Sequence, residues 1–297
     1  MTDLKGADHL VESQLKTYLL EIENVTGADC LTYVGPIAFG ADDFIRVAVE
    51  QLKGGVTRRR KKLLFILETE GGFAEAARRI SDTLRYHYMA VDFLVPSHAM
   101  SAGTILAMSG DAIWMDYYSV LGPIDPQIPS QDQKKLIPAL GYLIRYQELL
   151  DKANAGQIGA AELEILLNFD QGELYSFEQA RDLSVSLLGE WLAKYKFKNW
   201  KITQTSKTQV TTKMRKNRAK EIAEKLNDTR KWNSHGIGIN MQLLRRDLKL
   251  LIDDFEKDAI LNINVRSYHR LLTDYMAKMR QASVVHTREA YQMLQRR

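Results

Sequence analysis

The sequence predicts an α/β fold in which helices pack on a parallel sheet. Short apolar runs that end at glycine or proline alternate with longer segments of helical spacing, and this unit repeats between residues 31 and 150. Strands that alternate with helices of this length are typical of parallel sheets with right-handed crossover connections. In such folds the functional residues lie on loops beyond the strand ends.

Each predicted element follows from a local pattern. The first strand stops at Gly35-Pro36, and the helix after it carries Asp42 and Asp43 in its first turn, where acidic side chains are favourable. The apolar run that ends at Leu67 is typical of a strand covered on both faces. The predicted strands cover 31–34, 61–67, 91–95 and 111–115, and the predicted helices cover 42–52, 73–84 and 101–109.

Composition places the chain among ordinary globular proteins. Its 297 residues are 45% hydrophobic and 26% charged, with a net charge of +4. The single cysteine, Cys30, cannot form an intrachain disulfide, and the polar first residues do not resemble a secretory leader. No apolar segment approaches the roughly 20 residues that a membrane span needs. We therefore expect a cytoplasmic protein without a membrane span.

The most informative local pattern is a pair of loops. Gly71-Gly72 follows the apolar run that ends at Leu67, and Ser101 precedes Ala102-Gly103 at the start of a predicted helix. A Gly-Gly loop offers backbone N–H groups free of side chains, and a serine beside small residues offers an exposed hydroxyl. Together they indicate an acyl-transfer site with a serine nucleophile. The alternative is that Ser101 only caps a helix and that its small neighbours allow close packing.

Three segments carry a family resemblance. Residues 67–80, 95–115 and 119–127 resemble the Clp-protease/crotonase superfamily, and within it the serine dehydrogenase proteinase family, which is related to signal-peptide peptidase A. A weaker likeness extends to residues 232–236. The resemblance implies repeated ββα units around the parallel sheet, a serine peptidase activity that needs no cofactor, and a homo-oligomer that acts on protein or peptide substrates.

The resemblance also implies roles for individual residues. It places the nucleophile at Ser101 and the oxyanion donors at the backbone N–H groups of Gly71 or Gly72 and of Ala102. A backbone donor of this kind is typically worth about 3 kcal/mol of the activation barrier. A regulatory protein is a further candidate partner, because activation by a partner is an alternative that the sequence leaves open.

The general base is left open by the sequence. Clp proteases carry a histidine shortly after the next strand, but residues 122–127 contain none. Signal-peptide peptidases use a lysine from a later helix, and a histidine in the turn-like segment 234–236 is equally eligible. The candidates are Lys134, Lys135, Lys152 and His235. Asp125, between Ile124 and Pro126, is a candidate to orient the base, or it closes a turn. For His98, on the approach to Ser101, a structural role is expected.

The chain divides into three predicted regions. Residues 1–28 form an N-terminal helical segment, residues 29–190 a Clp/crotonase-like catalytic domain, and residues 191–297 a basic and mainly helical C-terminal extension. The basic stretch 194–231 contains a predicted amphipathic helix over 214–226, best explained as a solvated face. Apolar residues at helical spacing predict further helices over 242–255 and 268–276. His269 and His286 lie in such segments and are interpreted as structural residues.

The pattern therefore predicts a serine peptidase that acts through an acyl-enzyme on Ser101. The sequence contains no zinc-type Cys/His spacing and no Walker-type or dinucleotide glycine loop, so neither a metal nor a cofactor is expected. Nucleic acid is not an expected partner, because the basic stretch lacks a recognisable nucleic-acid motif. Two alternatives are a non-catalytic or partner-activated interaction module and a crotonase-type acyl-CoA enzyme.

Overall fold

The structure is a computed structural model that describes residues 6–54, 60–129, 136–203 and 205–294. Its strands are β1 (Asp29–Val34), β2 (Lys62–Glu68), β3 (Ala90–Leu94), β4 (His98–Ala99), β5 (Ala112–Met115), β6 (Val120–Leu121), β7 (Gln127–Pro129), β8 (Leu136–Pro138), β9 (Ile239–Asn240), β10 (Asp253–Asp254), β11 (Val284–Thr287) and β12 (Tyr291–Met293). Its α-helices are α1 (Ala7–Thr26), α2 (Ala41–Gly54), α3 (Ala74–His87), α4 (Ala102–Ala107), α5 (Ala139–Asn154), α6 (Ala160–Leu167), α7 (Gln171–Trp191), α8 (Thr212–Asn227), α9 (Thr229–Trp232), α10 (Met241–Asp247) and α11 (Ala259–Lys278).

A seven-stranded sheet organises the described residues in the order β10-β5-β3-β2-β1-β11-β12. Neighbouring strands from β10 to β1 run parallel, and β11 and β12 close one edge in antiparallel pairing. The predicted α/β fold with a parallel sheet is therefore confirmed. Because carboxyl ends of parallel strands meet at one edge, the loops after β2 and β3 approach each other there.

Alternate residues of the central strands enter two different cores. On β2, Leu63, Phe65 and Leu67 pack in the core with α2, α3 and α4, whereas Leu64 and Ile66 pack in a second core with α1 and α11. The side chains of a strand alternate between the two faces of a sheet, so an apolar run satisfies both cores. This burial holds the carboxyl end of β2 rigid where the Gly-Gly loop begins.

A second, three-stranded sheet lies beside the first in the order β4-β6-β9. β4 and β6 run parallel, and β9 pairs antiparallel with β6 through Leu121 opposite Ile239. Strands of two residues give no periodic signal, and the sequence did not predict this sheet. It brings residues near 100, 122 and 238 to one end.

The C-terminal region is mainly helical, as predicted, and also contributes β10, β11 and β12 to the large sheet. The predicted basic helix is α8, whose Ala219, Ile222 and Leu226 are buried. The helix predicted over 242–255 is wrong in its second half. It ends at Asp247 because Lys249 adopts a left-handed backbone (φ 47°), and the chain then extends into β10.

None of the helices in the described ranges combines the length and apolar character that crossing a membrane requires.

Candidate active site

Ser101 lies in a sharp turn between β4 and α4. Its backbone has φ 50° and ψ −115°, a conformation that side-chain-bearing residues rarely adopt. Such strain persists where the surrounding structure imposes it, and serine nucleophiles are commonly presented on strained strand-to-helix turns. The side chain makes no capping hydrogen bond to α4. The alternative that Ser101 only caps the helix therefore does not fit the geometry.

Gly71 lies directly against this turn. It has φ +108°, and a Cβ atom added to it would lie 2.8 Å from the Cβ of Ser101. The residue before the loop, Thr69, pairs with Ala99 in an isolated bridge, and the Thr69 hydroxyl accepts the N–H of Gly71 at 3.0 Å. The N–H of Gly71 is thus already occupied.

Gly72 is held from the other side of the loop. The N–H of Ile37 donates to the carbonyl of Gly71, and the N–H of Phe73 donates to the carbonyl of Ile37, both at 2.8 Å. A Cβ on Gly72 would lie 2.1 Å from that Ile37 oxygen, so only glycine fits. Within the described residues, the N–H groups of Gly72 and Ala102 donate to no acceptor. They are the two donors left available beside Ser101.

His235 and Asp125 form a hydrogen-bonded pair. Nδ1 of His235 lies 2.9 Å from Oδ1 of Asp125, and the amide of Gln127 donates to Oδ2 of the same carboxylate at 2.8 Å. Asp125 is 1% exposed, whereas the side chain of His235 is 21% exposed. A buried carboxylate on Nδ1 fixes the ring orientation and leaves Nε2 for a second partner.

The three-stranded sheet brings this pair to the same end as the serine. Ser101 follows β4 by two residues, Asp125 follows β6, and His235 precedes β9, which runs in the opposite direction. The hydroxyl of Thr104, on α4, donates to the carbonyl of Ala99 at 2.8 Å and accepts the N–H of Gly122 at 2.9 Å. The loop after β6 is thereby tied to the serine turn.

The Ser101 hydroxyl itself makes no hydrogen bond to the described residues. Catalytic hydrogen bonds are often long or poorly aligned in the absence of substrate. The arrangement supplies a serine, two free N–H donors and an oriented imidazole at one end of one sheet, the set of groups that acyl transfer requires.

Of the three lysines that are candidate bases, only Lys152 lies within the described residues. Lys152 is exposed on α5, and its Nζ lies 2.6 Å from a Glu162 oxygen. The first residue of α5, Ala139, donates its N–H to the carbonyl of Pro126, the residue after Asp125. At a rise of 1.5 Å per residue, Lys152 lies roughly 20 Å further along this helix. Lys134 and Lys135 lie outside the described residues. His98 contacts Ser97 and Glu70 at 3.0 and 3.2 Å, on the approach to the site.

His269 and His286 are each held in a side-chain pair. His269 contacts Glu68, and buried His286 lies 2.8 Å from the Tyr268 hydroxyl. In the described part of the chain, no group of three or more His, Cys, Asp and Glu side chains is arranged to hold a metal ion.

Comparison with protein families gives the same assignment as the sequence motifs. Residues 54–143 match the ClpP-like SDH-type serine proteinase family. The predicted resemblance is thereby confirmed. The matched segment of this proteinase family contains Gly71, Gly72, Ser101 and Asp125 and ends before His235.

Two uncharacterized proteins of Methanocaldococcus jannaschii are similar to the chain. MJ0137 is 33% identical over 144 residues, which cover 46% of this chain and 49% of that protein. MJ1495 is 27% identical over 135 residues, which cover 44% and 46%. The chain thus spans about half the length of the curated relatives it matches. A serine-to-alanine mutant of the 1510-N membrane-bound stomatin-specific protease is a similar solved structure, with a TM-score of 0.44, 11% identity, and coverage of 75% and 76%.

Two residues of the matched segment 54–143 were not singled out by the sequence patterns. Thr69 occupies the N–H of Gly71, and Thr104, which is fully buried, joins the serine turn to Gly122. Each is a threonine next to a singled-out motif, directly after a strand or inside a small-residue helix. Their position beside these motifs could have identified them from the sequence. A threonine hydroxyl at such a position is, however, used in many purely structural hydrogen bonds.

Proposed function

We propose that the chain is a serine peptidase that cleaves peptide bonds through an acyl-enzyme on Ser101. The observation that carries the proposal is the strained backbone of Ser101, whose hydroxyl does not cap its helix and whose turn is packed against Gly71. A strained, uncapped serine next to free backbone donors has a direct use in acyl transfer. The match of residues 54–143 to a serine proteinase family supports the same reaction.

In the proposed mechanism, peptide binds extended along the Gly71-Gly72 loop. Nε2 of His235 takes the proton of the Ser101 hydroxyl, and Oγ attacks the scissile carbonyl carbon. The N–H groups of Gly72 and Ala102 stabilise the oxyanion of the tetrahedral intermediate. The imidazolium of His235 then protonates the leaving amine, and water hydrolyses the acyl-enzyme by the same route.

Asp125 has the role of a positioning residue. Its carboxylate holds Nδ1 of His235 and stabilises the imidazolium that forms during attack. The order of the three groups along the chain is Ser, Asp, His, as in α/β-hydrolases, while the fold is different. Triads of this kind are defined by geometry and not by sequence order.

A labelled fluorophosphonate tests the nucleophile. We expect it to modify the wild-type protein at Ser101, and a Ser101→Ala variant to remain unlabelled. Ser97→Ala is a matched control, because Ser97 lies on the same approach and contacts His98. The assignment is refuted if the wild type is not modified or if Ser101→Ala is modified equally well.

The base is tested by single substitutions of His235, Lys134, Lys135 and Lys152. We expect His235→Ala to lose several orders of magnitude in peptidase rate and Lys152→Ala to retain the full rate, because Lys152 pairs with Glu162. A full rate in His235→Ala together with a loss in one lysine variant would assign a serine–lysine dyad instead.

One observation favours a second candidate, a peptidase that a partner protein activates. In the described residues the Ser101 hydroxyl makes no hydrogen bond to His235. The hydrogen bond between these two side chains must therefore form in a separate step, which binding of a partner protein would control. In that case labelling of Ser101 would require the partner or a substrate peptide. A cytoplasmic homo-oligomer remains part of the proposal, and the buried free thiol of Cys30 suits a reducing compartment.

A further inference from the structure

A cavity beside α8 is lined by cationic and aromatic side chains, two of the cations from the basic stretch 194–231. It has a volume of about 610 Å³ and is open to solvent beside Leu251, which is 71% exposed. Small-molecule sites of proteins fall in the same range of volumes. The lining includes the three cations Lys196, Arg218 and Lys249 and the two aromatic residues Phe197 and Trp200.

The cavity lies at the other end of the large sheet from the serine turn. Lys198, whose neighbours in sequence line the cavity, pairs with Asp111. Asp111 precedes β5 and donates its N–H to the carbonyl of Val91, near the start of β3. These are the amino ends of the parallel strands, whereas Ser101 lies beyond their carboxyl ends. The cavity is therefore separate from the proposed active site.

The two segments that carry the lysines of the cavity have unusual backbones. Leu192–Lys196 is a π-helical turn that continues α7, and such turns are rare and occur frequently at functional sites. Lys249 adopts φ 47°, a costly conformation that persists where the surrounding structure imposes it. The carbonyl of Leu248 accepts Nη2 of Arg218 at 2.5 Å. This hydrogen bond holds the guanidinium beside the Lys249 segment.

Lys196 and Lys249 form no ion pair with any residue that the structure describes. Lys196 is half-buried, and burial lowers the pKa of its ammonium although three carboxylates attract it. Two of these carboxylates, Asp92 and Asp111, already form ion pairs at 2.7 Å with other basic side chains. A desolvated ammonium without a close partner gains free energy when an anion binds beside it.

The aromatic part of the cavity is preformed. The rings of Phe197 and Trp200 lie 5.8 Å apart between centroids at an interplanar angle of 64°, an edge-to-face arrangement. The N–H of Trp200 donates to the carbonyl of Phe197 at 3.0 Å, and the carbonyl of Trp200 accepts Nη2 of Arg215 at 3.1 Å. These bonds fix Trp200 against α8, so its ring is presented beside the cations.

We propose that this cavity binds a nucleoside diphosphate. Lys196, Arg218 and Lys249 hold the phosphates, and the ring of Trp200 stacks on the base. Three cations exceed what a single carboxylate can neutralise, whereas a diphosphate carries several charges and acceptor oxygens. An acidic polypeptide supplies charge but no planar group for Trp200. The proposal does not depend on the peptidase function, because no described residue of the proposed active site lines the cavity.

Isothermal titration of the full chain with ADP, GDP, CDP and UDP at about 0.1 M salt tests the site. We expect at least one diphosphate to bind, and its nucleoside and inorganic pyrophosphate each to bind at least about tenfold more weakly. Lys196→Gln or Lys249→Gln should weaken binding of the diphosphate by about tenfold to hundredfold, because each removes a charge-assisted hydrogen bond. Trp200→Leu should weaken it by about fivefold to hundredfold and leave pyrophosphate binding unchanged.

Lys213→Gln is the matched control. It removes one positive charge from the first turn of α8, where Lys213 is exposed and does not line the cavity. We expect its affinity for the diphosphate to stay within about twofold of the wild type, since an exposed charge outside the site is screened by salt. A thermal melt of each variant shows that it is folded. Lys196→Gln should melt no lower than the wild type, because it removes a poorly solvated charge.

Three results would overturn the proposal. The first is that none of the four diphosphates binds, or that their affinity survives Lys196→Gln. The second is that pyrophosphate binds as tightly as the diphosphate and Trp200→Leu has no effect, which assigns a site for phosphate alone. The third is that a ten-residue polyglutamate peptide binds more tightly than any diphosphate and is weakened equally by Lys196→Gln and Lys213→Gln, which assigns the surface to an acidic polypeptide.

Discussion

Replacing Asp125 by asparagine tests whether the buried carboxylate assists proton transfer. The substitution keeps the shape of the side chain and removes its negative charge. Asp125 is 1% exposed and has Oδ1 2.9 Å from Nδ1 of His235. In the proposed mechanism His235 becomes positively charged during attack, so the carboxylate stabilises the transition state more than the ground state.

The size of the effect follows from this geometry. Two unit charges 2.9 Å apart attract by about 6 kcal/mol at an effective dielectric constant of about 20. Each 1.4 kcal/mol corresponds to about a tenfold change in rate, so the upper limit is about 10⁴-fold. An asparagine oxygen retains part of the hydrogen bond to Nδ1. We therefore expect Asp125→Asn to lower kcat by 10³-fold to 10⁴-fold, a range on the order of that seen when a triad aspartate is neutralised.

The measurement is the single-turnover rate of peptide cleavage together with a thermal melt of each variant. Asp92→Asn is the matched control, since Asp92 is also buried and lies 2.7 Å from Lys62, away from the serine turn. We expect this control to retain the wild-type rate. A folded Asp125→Asn variant whose rate stays within tenfold of the wild type would refute the orienting role of Asp125.

Two further predictions concern the oxyanion loop and the second core. Gly72→Ala places a Cβ 2.1 Å from the Ile37 oxygen and displaces the loop, so fluorophosphonate labelling should slow by about 10²-fold to 10³-fold. Gly141→Ala is the control, because Gly141 has open space around it, and this variant should be labelled at the wild-type rate. Equal labelling rates for the two variants would exclude Gly72 as an oxyanion donor. Burial, with Lys16 nearby, lowers the pKa of His286 to about 3, so the unfolded chain binds a proton below about pH 6.5 that the folded protein does not. Protonation of His286 in the unfolded chain therefore lowers the free energy of unfolding as the pH falls below about 6.5, and urea unfolding should show about 2 kcal/mol less stability at pH 5 than at pH 7. His286→Gln should weaken this dependence of stability on pH.

Local patterns were enough to predict the central fold and to single out the two loops of the candidate site that lie in contact. The apolar run of β2 is set by burial on both faces, and the Gly-Gly and Ser-Ala-Gly patterns are set by close contact between two loops. Those constraints act over a few residues, so they leave a readable pattern in the sequence.

The remaining features depend on contacts between distant segments. β4, β6 and β9 have two residues each, too short for periodicity to identify. The pairing of His235 with Asp125 cannot be read from either residue alone, and His235 remained one candidate among four. Beyond the end of α10 at Asp247, Leu248, Leu251 and Phe255 have helical spacing, although the chain there is not an α-helix and Leu251 is 71% exposed.

The separation of Asp125 and His235 along the chain also orders events during synthesis. The two residues are 110 positions apart. A ribosome adding about 5 to 20 residues per second needs roughly 5 to 20 s to cover that interval. On the proposed mechanism, a nascent chain carries Ser101 and Asp125 through this period without His235, the proposed base. On the same mechanism, a chain that stalls before His235 would not cleave peptides, and the proposed hydrolysis would begin only in molecules that have completed the small sheet.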